Sequence, residues 1–262
     1  MAKRSYYARY TAGECDVVWR ELIDLGPSVY DAAVYPDALA VCSEIVRRAH
    51  TNLHQLHARL TMLGYEFAFP DEALVDADAD APAGIRAFEA EFGELPLIAR
   101  VWYETVGSVN FVQAAGQREY RGQEYPPPVA SNVSGLGSHP VLLFQRLADA
   151  RADWHAMRAD AEAHHSPLDE PFAFGRFLPL GGWASNCEPK GFPVPSRAVD
   201  AVIYEDGDPE TYFVDELREA FAWGGFPFWR ESLHDSSFAS PMEYRPNFAA
   251  VLPVLREGLL VL

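Results

Sequence analysis

The sequence is poor in the features that usually announce chemistry. It has three cysteines, Cys15, Cys42 and Cys187, at wide and irregular spacing with no Cys-x-x-Cys pair. That argues against both a zinc ribbon and a disulfide framework. No uninterrupted apolar run approaches the ~20 residues of a spanning helix. The opening Met-Ala-Lys-Arg-Ser-Tyr-Tyr has no apolar segment behind it, so no signal peptide is expected. Positive charge is scarce as well: 21 Lys and Arg face 38 Asp and Glu, for a formal net charge of −17. Such a surface repels phosphate backbones and speeds encounter with a basic partner. The expectation is a cytoplasmic protein that binds neither nucleic acid nor membrane.

Catalytic motifs are equally sparse. Ser134 is the nearest approach to a nucleophile elbow, but Asn132 stands where the first glycine is needed. Gly224 and Gly225 end a helix, whereas a phosphate loop begins one, and no Lys-Ser/Thr follows them. Cys187 lies in a Gly/Pro-rich bend beside Asn186 and Lys190, where a neighbouring ammonium would lower a thiol pKa, yet no paired histidine can be assigned. Asp76-x-Asp78-x-Asp80 resembles the start of a calcium loop. Ala81 and Ala87, however, occupy the turn-glycine and bidentate-glutamate positions, so the segment reads as a solvated acidic connector.

What the chain does have is apolar material: 49% of its 262 residues are hydrophobic and 13% aromatic, enough for a sizeable core. Residues 1 to 35 read as an irregular arm with one short helix. From Pro36, the apolar series Leu39, Cys42, Ile45, Val46, Ala49, Leu53, Leu56, Leu60 and Leu63 predicts a long helix closed by Gly64. His50, His54 and His57 fall within about 60° of arc on it at ~100° per residue. With no Glu beside them as in His-Glu-x-x-His, they read as polar residues flanking the apolar stripe, and neither metal nor cofactor is expected.

Further strands are expected at Tyr65–Phe69, Ser108–Gln113, Val141–Gln145, Phe172–Leu178 and Val199–Tyr204. Asp71–Gly84 reads as a connector and Arg118–Gly137, with Pro126-Pro127-Pro128, as a loop. Helices are expected near Ile85, after Leu95-Pro96 and over Ala150–His164. The clearest helix starts at Tyr212: Phe213, Val214, Leu217, Ala220 and Phe221 make one stripe, and Gly224-Gly225 with Pro227 stop it. The aromatic cluster Trp223, Phe226, Phe228 and Trp229 follows, to be either core or contact surface. Helices around short strands without regular alternation argue α+β.

Several of these segments together resemble the SUKH superfamily, whose members include bacterial toxin-immunity proteins and a yeast cell-wall regulator. Ile85-Arg-Ala-Phe-Glu-Ala-Glu-Phe-Gly-Glu-Leu-Pro96 followed by Val101-Trp-Tyr-Glu-Thr-Val-Gly-Ser-Val-Asn-Phe111 is similar to its helix, Leu-Pro, helix and Gly-opened strand. Tyr212–Trp229 resembles a closing motif, Phe-Val-x-x-Leu-Arg before Trp-Gly-Gly-Phe-Pro. Ala49–Phe67 and Leu255–Leu260 extend the likeness from about residue 40 to the end. The chain departs from the pattern at His139-Pro140 and at the bend from Asn186 to Pro193.

The resemblance implies a single domain with an N-terminal helical extension over about residues 1–82. It would be α+β, with a mainly antiparallel twisted sheet flanked by helices and the long helix packed on it. It further implies a non-enzymatic protein-binding role, as the immunity partner of a toxin that could be a basic nuclease. Contact candidates are Asp76, Asp78, Asp80, Trp183, Trp223, Phe226 and Trp229. Two alternatives remain open: a small-molecule or enzymatic pocket lined by Trp102, Tyr103, Trp183 and Trp223, and a general regulatory interaction module.

Overall fold

The computed structural model describes residues 5–114, 119–120, 123–124, 142–164, 177–181, 190–205, 208–227 and 245–262. The expected strand residues 172–176, residues 125–137 of the expected loop, Val141, Cys187, Trp183, Phe228 and Trp229 all lie outside this set. The architecture is α+β, as composition and patterning suggested.

The N-terminal stretch is a pair of helices rather than an irregular arm. Ser5 caps α1 (Tyr6–Thr11) by accepting from the Ala8 amide, and α2 spans Cys15–Asp24. Cys15, Val18, Trp19 and Leu22 are buried at i, i+3, i+4 and i+7, a helical stripe within ten residues that the surrounding mixed polarity masks. Next, α3 runs over Tyr35–Met62 with Pro36 in its first turn, where a missing amide hydrogen costs nothing. Its buried face carries Val41, Cys42, Ile45, Val46, Ala49, Asn52, Leu53, Leu56 and Leu60, while Leu39 and Leu63 are only half-buried. Gly64 closes it at φ +79°.

The acidic connector is not wholly connector. Within it, Leu74–Asp76 forms β1, and α4 (Ala81–Phe92) begins earlier than Ile85. Pro96 then opens α5 (Leu97–Thr105), whose first amides are satisfied from outside: Leu97 N–H donates to the Ala198 carbonyl and Ile98 N–H to that of Val199. Strand β2 (Val106–Asn110) pairs antiparallel with β1 on one side and with β5 (Leu143–Phe144) on the other. Tyr65–Phe69, expected as a strand, makes only an isolated bridge from Phe67 to Gln113.

The expected single sheet is divided among the described residues. Besides β1-β2-β5 there is a two-stranded ribbon of β3 (Glu119–Tyr120) and β4 (Gln123–Glu124). A four-stranded antiparallel sheet comprises β6 (Phe177–Gly181), β7 (Lys190–Pro193), β8 (Val202–Glu205) and β9 (Asp208–Tyr212). Strands β7 and β9 escape sequence reading because both contain turn-type residues. Pro193 ends β7, and Pro209 sits in β9 at the edge of the sheet, the position where a strand tolerates proline.

Helix α6 (Leu147–His164) follows β5, α7 (Phe213–Ala222) follows β9, and α8 (Arg245–Arg256) closes the chain. Every residue of the α7 stripe is buried. Trp102, Phe144 and Phe213 meet edge to face with ring centroids 5.1–5.5 Å apart, joining α5, β5 and α7. One continuous cluster of buried side chains runs from Tyr10 to Leu262, so the N-terminal helices share the core rather than append to it. Helix α3 packs against α1, α5, α8 and β1. The C-terminal segment is strapped to it by Arg59 to the Leu255 carbonyl, Arg48 to the Val261 carbonyl and a two-point clamp of Asn52 on Leu260.

Candidate functional site

The structure separates the residues expected to make contacts. Phe226 is fully buried between Tyr65 and Phe248, with centroids 5.8 and 6.3 Å away, so this member of the aromatic cluster is core. Trp223 is half-buried; its indole N–H donates to Glu219 at 2.9 Å and its ring stacks on Phe248. Gly224 and Gly225, at φ +61° and +93°, turn the chain so that these two aromatics close over α8. Trp102 and Tyr103 are also core, at 1% and 5% exposure, so neither can line the pocket expected from them. Asp78 and Asp80 remain exposed together with Asp71, Glu72 and Asp76, forming a ledge beside α3. Among the described residues no arginine pairs with Asp71, Glu72, Asp78 or Asp80.

The ledge meets the histidines of α3. One turn apart, His50 and His54 sit with their Nε2 atoms 3.1 Å from each other and rings edge to face. Asp76, at the end of β1, places Oδ1 at 2.6 Å from His50 Nε2 and 3.3 Å from His54 Nε2. Sequence reading missed this carboxylate because it arrives from a strand 22 and 26 residues away along the chain. His57, the third histidine, does not join them: it stacks on Phe67 at 4.8 Å.

Backbone detail aims Asp76. The β1–β2 register slips between Val75 and Asp76, opposite Gly107, giving a β-bulge. A Cβ on Gly107 would lie 2.6 Å from the Asp76 carbonyl oxygen and 2.9 Å from that of Val75. Only glycine lets β1 approach this closely, and the bulge re-aims the Asp76 side chain toward α3.

Charges follow the geometry. Hydrogen bonding from His50 holds the Asp76 carboxyl below its usual range against a smaller opposing effect of burial, and a lesser hydrogen bond from His54 adds to the lowering. Burial pushes the His57 imidazole down, and the nearby His54 adds to this. The arrangement can share protons among three groups, or hold a cation by three donor atoms from two elements.

Comparison with known protein families, with curated proteins and with solved structures finds no match to this chain.

Proposed function

We propose that this protein is a SUKH-like, non-catalytic binding domain that neutralises a basic toxin, a nuclease toxin being the natural match for its charge. The observation that carries the reading is the exposed ledge of Asp71, Glu72, Asp76, Asp78 and Asp80 on a chain of net charge −17. Exposed carboxylates, four of which have no arginine partner among the described residues, raise the encounter rate with a cationic surface and occupy positions that phosphates would take. The sequence resemblance of Ile85–Phe111 and of Tyr212–Trp229 to SUKH proteins points the same way. Half-buried Trp223 is a described aromatic contact candidate, though its ring is already engaged by Phe248.

The test is direct mixing with the toxin domain encoded beside this protein, followed by titration calorimetry and a toxin-activity assay. A complex is expected whose association slows by roughly tenfold when Asp71, Asp78 and Asp80 are all changed to Asn, and slows likewise with added salt. Absence of a complex at micromolar concentration would sink the proposal. A complex that leaves the toxin active would favour a regulatory interaction module instead.

A further inference from the structure

Three donor atoms of the types that bind transition metals converge at one place on the surface. His50 Nε2, His54 Nε2 and Asp76 Oδ1 form a triangle with edges of 2.6, 3.1 and 3.3 Å. In a tetrahedral zinc site with bonds of 2.0–2.1 Å, neighbouring donor atoms lie ~3.3 Å apart. Relative to that spacing the His50–Asp76 edge needs to open by about 0.7 Å and the His50–His54 edge by about 0.2 Å, while the His54–Asp76 edge already fits. All three side chains retain solvent access, with 27%, 50% and 62% exposure for His50, His54 and Asp76, so they have room to do so.

The supports are rigid where rigidity matters. Spacing of i, i+4 on a continuous helix puts both imidazoles on one face, and Asp76 is delivered by a bulged strand paired in a sheet. The structure thus supplies two imidazoles and one carboxylate, leaving further coordination positions to water or to an incoming group. Imidazole with carboxylate suits zinc and its first-row neighbours, whereas calcium and magnesium prefer sites built of oxygen alone.

We propose that His50, His54 and Asp76 form a binding site for one divalent transition-metal ion of the zinc class, open to solvent on its outer side. The site fastens β1 to α3, two elements that meet here through side chains of opposite ends of a 22-residue chain interval.

The test uses the untagged full chain, stripped with chelator and titrated with ZnCl2 by calorimetry and with CoCl2 by visible absorption. One equivalent of Zn2+ is expected to bind with micromolar affinity, Co2+ to give a d–d band of a low-coordinate site, and MgCl2 to give no heat. Zinc should also raise the melting temperature, because an ion that binds only the folded chain stabilises it. His54→Ala and Asp76→Asn should each weaken zinc binding at least tenfold and remove the thermal shift, while His57→Ala should keep both. All three positions reach solvent to some degree, so folding of each variant is checked by circular dichroism. No binding at 100 μM Zn2+, or binding that survives both His54→Ala and Asp76→Asn in folded protein, would overturn the assignment.

Discussion

Asp200 is the clearest place where this fold sets its own stability. It is 2% exposed, and its two oxygens accept from Trp19 Nε1–H at 2.9 Å and from the Ala201 amide at 2.8 Å. Burial pushes its carboxyl up to about 7, against the downward pull of the hydrogen bonds from Trp19, Ala201 and Val214. A carboxyl with a higher pKa folded than unfolded binds a proton on folding between the two values. Stability is therefore greatest at low pH and is lost as the pH rises toward 7, the reverse of an ion-paired aspartate. At ~1.4 kcal/mol per pH decade the full cost of ionising it is about 4 kcal/mol, and about 2 kcal/mol of this falls between pH 5.5 and pH 8.

Asp200→Asn removes the titration but turns an amide N–H toward at least one of the donors, an offset of about 1–3 kcal/mol at any pH. Urea unfolding of both proteins from pH 5.5 to 8 should show the wild type losing about 2 kcal/mol relative to the variant. Taking the difference cancels His57, whose lowered pKa acts with the opposite sign in part of this range. A gap constant to about 0.5 kcal/mol would refute the reasoning, because it would mean that the three hydrogen bonds outweigh burial and Asp200 ionises at an ordinary pH.

Asn52→Ala should cost about 2–3 kcal/mol in urea unfolding and speed amide exchange at Leu260. It strips the side-chain partners from the Leu260 N–H and C=O, held at 2.7 and 2.9 Å, and a loss below ~0.5 kcal/mol would mean that Arg48 and Arg59 suffice as straps. Gly107→Ala should cost about 1–3 kcal/mol, since backbone oxygens 2.6 and 2.9 Å from the new Cβ cannot swing aside as a side chain would. If zinc binds as proposed, the same change should weaken it about tenfold in calorimetry without touching a donor, as losses of positioning groups do; unchanged affinity would show that the bulge does not aim Asp76.

Where one element carried a full period of apolar residues, the sequence was easily read. Helix α3 and the α7 stripe of Phe213, Val214, Leu217, Ala220 and Phe221 were legible because each buries one continuous face. Helix α2 was not, since four buried positions within ten residues barely exceed a chance pattern. Strand β1 was hidden for a different reason. Its three residues lie inside an acidic, Ala-rich run, and their strand state comes from pairing with β2, a tertiary contact that no local preference encodes. Phe226 was hidden for a similar reason: it is core because Phe248 of α8, 22 residues downstream, covers it, and nothing near Phe226 announces that.

The histidine cluster follows from the same limit. Two imidazoles at i, i+4 are visible in the sequence, but the carboxylate that completes them is fixed by a bulge opposite a glycine, so it is a property of register rather than of composition. Asp76 thereby belongs both to the acidic ledge and to the proposed metal site, and this couples the two proposals. A dication at Asp76 turns a local charge of −1 into +1 in the middle of the ledge. If it acts only through charge, zinc should slow association with a basic partner, and the partner should weaken zinc by the same factor that zinc weakens the partner. If instead the open coordination positions accept a group from the partner, both affinities should rise together. Measuring partner affinity with and without zinc therefore decides between an ion that merely fastens β1 to α3 and one that forms part of the interface.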